Sequence, residues 1–565
     1  MAVFNKKVPT KVCLDDTEAL TVTIENAQTV SGHTEYVIKV HRGPYPEQSW
    51  IVCKRYSDFV ALHSMIQGSG INVVLPPKKL FGNMDRAFIA QRQVELQNYV
   101  NQILMNHILA LSLPVRRFLD PQSYTVPLEE LALQHVSMAL RSEVQYELVN
   151  PIAELGWRLR KHYFFIKSKL MPKTELLLQW VEFGPDKSID DKELQSVLQC
   201  LVNLNHPHLE KLEFSHCSDG GCFIVRKFNA AGTLRDIIYG SKPKHSFLKK
   251  YGNSNHSKPL SLSDISIYGR QILETLIFLH EKGIPFGHLH LGNILLIENN
   301  IKLLDIENAI LGLPSFYRPF IVHHKRINTM EAIDVYSFGH VLFEMAFGYP
   351  LNESVCDNLP STCPPLLSVL LESILSTESR RSGLPTLHEL LQHPFFNVSA
   401  TNNFVKPSLK LSSCLKHSLK AAIQSTEKRL QGEQKAIRHQ KKMARMQELL
   451  VSDEDLSKTK YRLKEPRNTG PHLLGVDQGI SNGRRSPRSD SLTSNSTSTS
   501  LGAITPPLSD QCLITGMKLV LDQKTQSASQ INSPTVTDGH SALLESICSF
   551  DKSVLHHPTT VSNSS

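Results

Sequence analysis

The chain has 565 residues and a formal net charge of +8, with 41% hydrophobic and 20% charged residues. This length is enough for two or three domains, and the composition is that of an ordinary globular protein. No apolar run approaches the roughly 20 residues that cross a bilayer, so a membrane span is excluded and membrane contact is expected to be peripheral.

The net charge and the cysteines indicate the kind of partner and the cellular compartment. The mildly basic balance suits an acidic surface such as an anionic membrane, or nucleic acid. The ten cysteines contain no C-x-x-C pair, which argues against a metal knuckle or a secreted disulfide framework. The stretch MAVFNKKVPTK lacks the apolar core of a signal peptide, so a cytoplasmic location is expected.

The first predicted elements are strands within residues 18–60. TVTIEN, EYVIKV and SWIVCKRY are rich in β-branched and aromatic residues and are separated by turn signals. From Ala87 to Leu104 the apolar period becomes helical. Six residues are expected to form the apolar side of that helix: Phe88, Val94, Leu96, Tyr99, Val100 and Ile103. The pattern predicts a compact α+β domain over residues 14–122.

A second, larger unit is predicted over residues 128–398. Its first part alternates strands with a helix around 191–204, and from about Leu262 it is mostly helical. Residues 399–464 are predicted to form a basic helical segment. In it Ile423, Leu430 and Ile437 repeat every seven residues, but Thr426, Glu433 and Gln440 interrupt the second seam, so no stable coiled coil is expected.

The last predicted region, residues 465–565, is dominated by Ser, Thr, Pro and Asn. Such a segment has too little apolar surface to offset the entropy of ordering, and it is predicted to be disordered. Within it residues 540–558 weakly resemble an actin-binding WH2 motif. Histidines stand where that motif is more basic, so an actin-linked scaffold is kept only as an alternative.

An ordered set of cations distinguishes the first domain. Arg55 and Tyr56 precede Ser-Asp-Phe, a Pro-Pro loop precedes Lys78 and Lys79, and Arg92 lies on the next predicted helix. The set closely resembles the PX (phox-homology) domain, which binds phosphoinositide headgroups, usually phosphatidylinositol 3-phosphate. The forked guanidinium of Arg55 has the geometry that a phosphate requires.

The resemblance implies a role for each of these residues. Arg55 is expected to bind the ring phosphate, Tyr56 to stack on the sugar ring, and Arg92 to bond the ring hydroxyls. Either Lys78 or Lys79 is expected to neutralise the glycerol-linked phosphate. The alternative, that these are ordinary solvated cations, is disfavoured because the whole set has the spacing of the family.

Two apolar residues of the same loop have an expected role as well. Leu80 and Phe81 follow the lysines directly, and the resemblance implies that they enter the membrane boundary.

The second unit resembles a protein kinase in its scaffold. The resemblance lies in YGRQILETLIFLHEKGIP, GHLHLGNILL and IDVYSFGHVLFEMAFGYP. The catalytic motifs depart from the family at four positions. Gln179 replaces the strand lysine, Val197 its glutamate partner, His288 the catalytic aspartate and His290 the lysine that steadies the transferred phosphate. The glycine-rich phosphate loop is also lost around Gly156.

Two positions of the kinase metal site are kept, Asn293 and Asp305. General-base catalysis alone contributes about 10²–10⁴ in rate, so joint loss of base, lysine and glycine loop implies a pseudokinase with no required cofactor and no metal of its own. Two alternatives stay open. One is Mg-ATP binding without transfer, and the other is a residual serine/threonine kinase targeted to endosomes, with His288 as an unorthodox base.

The combined expectation is an α+β multidomain protein. It comprises a PX-like domain, a two-lobed kinase-like domain and a largely disordered tail. The implied function is a phosphoinositide-binding adaptor that regulates integral membrane proteins such as receptors, channels or pumps. Its expected partners are phosphatidylinositol 3-phosphate membranes and membrane-protein cargo, with actin as an alternative and no nucleic acid. The expected location is cytoplasmic, peripheral on endosomal and plasma membranes.

Overall fold

The structure, a computed structural model, describes most of the first 462 residues. The described ranges are 14–79, 82, 84–152, 155–218, 220–252, 257–397 and 409–462, with side chains described up to residue 447. The described residues up to Gln440 belong to one compact unit, and those from Lys441 on belong to a second.

The N-terminal domain is a small antiparallel sheet packed against helices. Its strands, in sheet order, are β1 (Leu20–Val30), β2 (His33–Arg42) and β3 (Ser49–Arg55). Its helices are α1 (Tyr56–Gln67), α2 (Arg86–Met105), α3 (His107–Ala110), α4 (Leu113–Leu119) and α5 (Pro121–Tyr124). The alternating burial of β1 and β2 turns one sheet face toward these helices.

Two details differ from the sequence-based expectation. Tyr56 is the first residue of a helix and not the last of a strand. Val94 was expected on the apolar side of α2, but it is 62% exposed. Leu96 and Tyr99 define the buried face of α2, and Val94 lies about 200° around the helix from Leu96. The polar Arg92 is buried on this helix, because its side chain finds partners inside the domain.

The kinase-like domain begins with a helix and a five-stranded antiparallel sheet. Its first elements are α6 (Leu128–Ser142), β4 (Tyr146–Ile152), β5 (Lys161–Ser168), β6 (Leu176–Glu182), α7 (Asp191–Val202), β7 (Phe214–Ser218) and β8 (Gly221–Lys227). The sheet order is β4-β5-β6-β8-β7. Asp190 caps α7 by accepting from the amides of Lys192 and Glu193, and the helix packs its apolar face on the sheet.

The second part of this domain is mostly helical. Its helices are α8 (Leu234–Tyr239), α9 (Phe247–Lys250), α10 (Leu262–Glu281), α11 (Arg318–Ile321), α12 (Met330–Phe347), α13 (Pro365–Leu375), α14 (Thr377–Ser382) and α15 (Leu387–Leu391). A short two-stranded sheet, β9 (Ile294–Ile297) with β10 (Asn300–Leu303), lies between α10 and α11. Helix α12 is apolar nearly all round and is buried along most of its length, as such a helix must be.

One long helix, α16 (Ser413–Arg462), follows the kinase-like domain. Residues 409–412 ahead of it are not helical, so the basic helix begins later than the expected residue 399. Leu419, Ala422 and Leu430 are buried in the core of the kinase-like domain, so α16 packs onto that domain. No helix in the described ranges is long and apolar enough to cross a membrane.

The N-terminal and kinase-like domains share apolar contacts. Ile71 and Leu248 each pack against the cores of both domains. Ile108 and Leu111 of the N-terminal domain are buried in the kinase-like core. The backbones also meet closely, because a Cβ atom at Gly252 would collide with the carbonyl oxygen of Ser69. The two domains are therefore packed together and are not joined only by a linker.

Candidate functional sites

The first candidate site lies at the end of β3. Arg55 is the last residue of this strand, directly opposite Glu35 on β2. Its side chain is 52% exposed, and its Nε lies 3.5 Å from a carboxylate oxygen of Glu35. Glu35 also lies 3.1 Å from the ring of His33. Since this arrangement restrains one edge of the guanidinium, its other nitrogens stay accessible to a ligand.

Arg92 lies on α2, the helix on which it was predicted, and its guanidinium is enclosed by protein groups. Its guanidinium lies 4.2 Å from the ring centre of Tyr56 and 4.2 Å from that of Phe88, and it donates to the carbonyl of Pro77 at 2.8 Å. The hydroxyl of Tyr56 donates to the carbonyl of Pro76 at 2.5 Å. Arg92 and Tyr56 thus hold the Pro-Pro loop against α2, and Arg92 is only 5% exposed.

The two lysines of this loop are exposed. The ammonium of Lys79 lies 4.1 Å from the ring centre of Phe88, the same ring that covers Arg92. The structure therefore brings Tyr56, Lys79 and Arg92 together around the ring of Phe88, and Arg55 directly precedes Tyr56. Leu80 and Phe81, expected at the membrane boundary, lie outside the described residues.

The second candidate site is the cleft of the kinase-like domain. Gln179 lies on β6, the strand paired between β5 and β8, and is buried. Val197 lies on α7 and is 1% exposed within the apolar core. Neither position carries a charge, and Gln179 accepts a hydrogen bond from Arg226 at 3.0 Å. The lysine–glutamate pair of kinases is therefore replaced at both positions by uncharged side chains.

A lysine nevertheless reaches the centre of the cleft from the neighbouring strand. Lys161, the first residue of β5, donates to a carboxylate oxygen of Asp305 at 2.8 Å, with its side chain 1% exposed. Burial acts to raise the pKa of Asp305, but Lys161 and Arg226 outweigh it and hold that pKa below its usual value. Lys161 was not predicted, because kinases carry the corresponding lysine on the neighbouring strand, at the position of Gln179.

A second buried ion pair lies beside the first. Arg226 on β8 bonds Glu307 at 2.5 Å, and both side chains are nearly inaccessible. Arg226 also lies 3.9 Å from Asp305. The pairs Lys161–Asp305 and Arg226–Glu307 thus lie side by side inside the cleft, and pairing of this kind is how buried charges are usually tolerated.

The two histidines of the catalytic-loop positions face residues from the segment that replaces the glycine loop. Arg158 donates to Nδ1 of His288 at 3.1 Å, and the indole nitrogen of Trp157 lies 3.3 Å from Nε2 of His290. Burial, and then the charge of Arg158, lower the pKa of His288 well below its usual value. Burial, and then Arg235, lower the pKa of His290 to about 3. Both rings are therefore neutral at physiological pH.

The two kept metal positions also have protein partners. The amide of Asn293 donates to the carbonyl of His288 at 2.6 Å, and its oxygen accepts from the backbone of His290 at 3.0 Å. Asp305 is paired with Lys161. The loop is anchored from below, because Asp334 accepts from the amide of Gly287 at 2.8 Å. Across the described ranges, no group of three or more His, Cys, Asp or Glu side chains is placed to hold a metal ion.

The fold and the two sites define a class of protein, a PX domain packed against a kinase-like domain. The PX domain family model matches residues 44–122. The PX domain-containing protein kinase-like proteins of Mus musculus and Rattus norvegicus are each 45% identical over 447 residues, which is 79% of this chain and 77% of theirs. The chain belongs to the family of PX domain-containing protein kinase-like proteins. The predicted combination of domains is confirmed.

Two further relatives match less than half of this chain. The probable inactive serine/threonine-protein kinase slob1 of Dictyostelium discoideum is 30% identical over 292 residues, 46% of this chain and 49% of that protein. The Slowpoke-binding protein of Drosophila melanogaster is 30% identical over 218 residues, 37% of this chain and 42% of that protein. The nearer relatives are named kinase-like or inactive, whereas more distant ones are named as kinases. The PX domain suggests phosphoinositide binding and peripheral membrane association.

Proposed function

We propose that this chain is a membrane-recruited adaptor. Its PX domain binds phosphoinositide, and its kinase-like domain binds protein without transferring phosphate. The observation that carries the proposal is the state of the cleft, where each charged side chain at the centre already has a protein partner. The PX cations at Arg55 and Lys79, in contrast, face outward.

The absence of phosphate transfer follows from three features of the cleft. His288 stands where a kinase has its catalytic base, and its Nδ1 is bonded by Arg158. Lys161 is bound to Asp305 and would have to leave it before that carboxylate could bind a metal. Trp157 is 8% exposed and fills space beside the catalytic-loop positions. These residues do not fit a magnesium–nucleotide complex in this arrangement.

One observation favours a second candidate, a residual kinase. Asn293 and Asp305 are kept, and Lys161 supplies a cation beside Asp305. If the cleft opened, these three residues would be the basis of any transfer. The test is labelling of a general protein substrate by the purified chain, beside the chain carrying Asp305→Ala. We expect no turnover near the roughly 1–100 per second of ordinary kinases. Robust labelling that disappears in Asp305→Ala would establish the second candidate.

For the membrane, we propose phosphatidylinositol 3-phosphate as the lipid and endosomes as the location. Support comes from the forked guanidinium of Arg55 beside the exposed Lys78 and Lys79. The experiment is co-flotation of the full chain with vesicles that contain or lack this lipid. Arg55→Ala should release the protein, and Lys39→Ala, which removes an exposed cation from the same sheet, should not. Unchanged binding by Arg55→Ala would contradict the proposed pocket.

For the protein partner, we propose an integral membrane protein. The support is the name of the Drosophila relative, which records binding to Slowpoke. The kinase-like domain keeps its apolar core although its catalytic positions are replaced, so we assign the partner-binding role to it. The actin alternative depends on residues 540–558, which lie outside the described residues.

A further inference from the structure

Helix α16 lies against the kinase-like domain by one side only. Its buried apolar residues include Leu419, Ala422 and Leu430. Ser418 on the same side donates to Glu193 of α7 at 2.7 Å. The opposite side is exposed and basic, with lysines at 416, 420, 428 and 435. This portion of α16, residues 413–440, is thus amphipathic and attached in the way a bound peptide helix would be.

The surface beneath α16 presents backbone groups that form hydrogen bonds with the helix. The side-chain amide nitrogen of Gln434 lies 3.2, 2.8 and 2.9 Å from the carbonyl oxygens of Ile321, His324 and Ile327, respectively. Glu427 accepts from the backbone amide of Met330, at the start of α12, at 2.8 Å. The carbonyls of Ile321 and His324 also accept from the backbone amides of His324 and Ile327, so Gln434 adds a second hydrogen bond at each of these two carbonyls.

A buried charge cluster completes the attachment. The carboxylate of Glu433 accepts hydrogen bonds from two nitrogens of Arg318, the shorter at 2.9 Å. Arg429 bonds Asp15 at 2.7 Å and Asp186 at 2.8 Å. Asp15 precedes the first PX strand, so α16 ties both domains at one point. Because every carboxylate in the cluster is nearly inaccessible, removal of Arg429 would leave an excess of buried negative charge.

The helix itself is not built for permanent attachment. Gly432 lies in its middle, next to Glu433, and an added Cβ atom there would meet nothing within 4 Å. Glycine in a helix interior lowers helix stability, so this position weakens α16 without a packing reason. Much of the attachment is through buried ion pairs, which add less net stability than apolar packing of the same size.

We infer that this groove is a helix-binding surface, that residues 413–440 of α16 are its displaceable occupant within the chain, and that a partner helix of the same pattern competes for it. The pattern is read from the buried residues of this part of α16: Leu430, then Glu433 and Gln434, then Ile437. A competing helix would carry an apolar residue, two intervening residues, Glu-Gln, two more residues and a second apolar residue. The inference does not depend on lipid binding, so its test and that of the Arg55 pocket fail separately.

The first test is hydrogen–deuterium exchange on the full chain. Arg429→Ala should speed exchange of residues 321–328 and of the amides near Asp15 by about tenfold or more, because one partner of a buried cluster is lost. Lys428→Ala removes a neighbouring exposed charge and should leave both segments unchanged. If Arg429→Ala changed only α16, or nothing, the groove would not be held by this helix.

The second test is peptide competition. A labelled peptide of residues 413–440 should bind the full chain carrying Glu433→Ala and Gln434→Ala, whose own helix is weakened. It should bind the unaltered chain more weakly, because the tethered helix competes at high effective concentration. The same peptide with both substitutions should bind at least about tenfold more weakly. Equal binding of the two peptides, or no binding of the native one to the folded variant, would overturn the inference.

A third variant decides the matter if the doubly substituted chain does not fold. Gly432→Ala removes no contact and should stabilise α16. It should slow exchange of residues 321–328 by up to about fivefold, the factor that corresponds to the glycine–alanine difference in helix propensity. Unchanged exchange in this variant would mean that α16 does not open as a unit.

Discussion

The PX site and the kinase-like cleft both contain cations, but they differ in what those cations face. The Arg55 side chain is 52% exposed, with its closest carboxylate contact at 3.5 Å. Lys161 is 1% exposed, with a carboxylate at 2.8 Å. Most hydrogen-bond donors of Arg55 stay accessible to a ligand, whereas Lys161 is buried and donates to Asp305. Residue type alone therefore does not define an anion-binding site, because the state of the neighbouring charges decides it.

Two buried ion pairs of the cleft take the place of the lysine–glutamate pair that kinases use. The pairs Lys161–Asp305 and Arg226–Glu307 hold the two parts of the domain together across the cleft. These pairs do not use the strand lysine and helix glutamate positions of kinases, which are Gln179 and Val197 in this chain.

The largest expected effect on stability comes from breaking the Arg226–Glu307 pair. Arg226→Ala leaves Glu307 buried without its cation, and we expect a loss of about 3–5 kcal/mol in the free energy of unfolding. Chemical denaturation of the full chain measures it. Replacing both residues by methionine should cost much less, because no lone charge remains. Equal losses in the single and double variants would show that packing, and not charge, holds the cleft.

A smaller effect is expected from pH. The folded pKa of His290, about 3, lies below the usual 6.5, so the unfolded chain takes up a proton first as pH falls. Stability is thus complete above pH 6.5 and is lost progressively below it, by about 2 kcal/mol at pH 5 for this residue. His290→Phe should reduce the loss measured between pH 7 and pH 5 by that amount. His388→Phe, at an exposed histidine, should leave it unchanged.

The smallest effect on stability is expected at the PX site. Arg55→Ala should change the free energy of unfolding by no more than about 0.5 kcal/mol, because its ion pair with Glu35 is exposed and long. Thermal unfolding beside Arg226→Ala gives the direct contrast. A loss as large as that of Arg226→Ala would mean that Arg55 is a structural residue and would remove the distinction between the two sites.

Much of the fold could be predicted from local patterns. The alternation in β1 and β2 and the helical period of α2 are properties of short segments, and the structure has these elements. Val94 was misplaced because an apolar residue was assumed to face the core, although its angle on α2 excludes that. The packing of Ile108 and Leu111 into the kinase-like core depends on contacts distant in sequence, which no local pattern records.

The cleft of the kinase-like domain was less predictable, because it too depends on contacts distant in sequence. The positions of Gln179 and His288 could be found by motif. The residues that instead form ion pairs in the cleft could not. Lys161 and Arg226 reach the cleft from strands β5 and β8, and only the sheet order shows that they meet. In α16, Glu433 counted against a coiled-coil seam, yet it is the residue that binds Arg318.

The most direct test of the account is the thermal unfolding of the full chain with each of two ligands. One is Mg-ATP, and the other is the soluble headgroup inositol 1,3-bisphosphate. A ligand that binds only the folded state raises its stability, by about 2.7 kcal/mol at one hundred times its Kd. The account predicts a higher unfolding midpoint with the headgroup, abolished by Arg55→Ala, and no change with Mg-ATP. A midpoint raised by Mg-ATP and unaffected by the headgroup would contradict it.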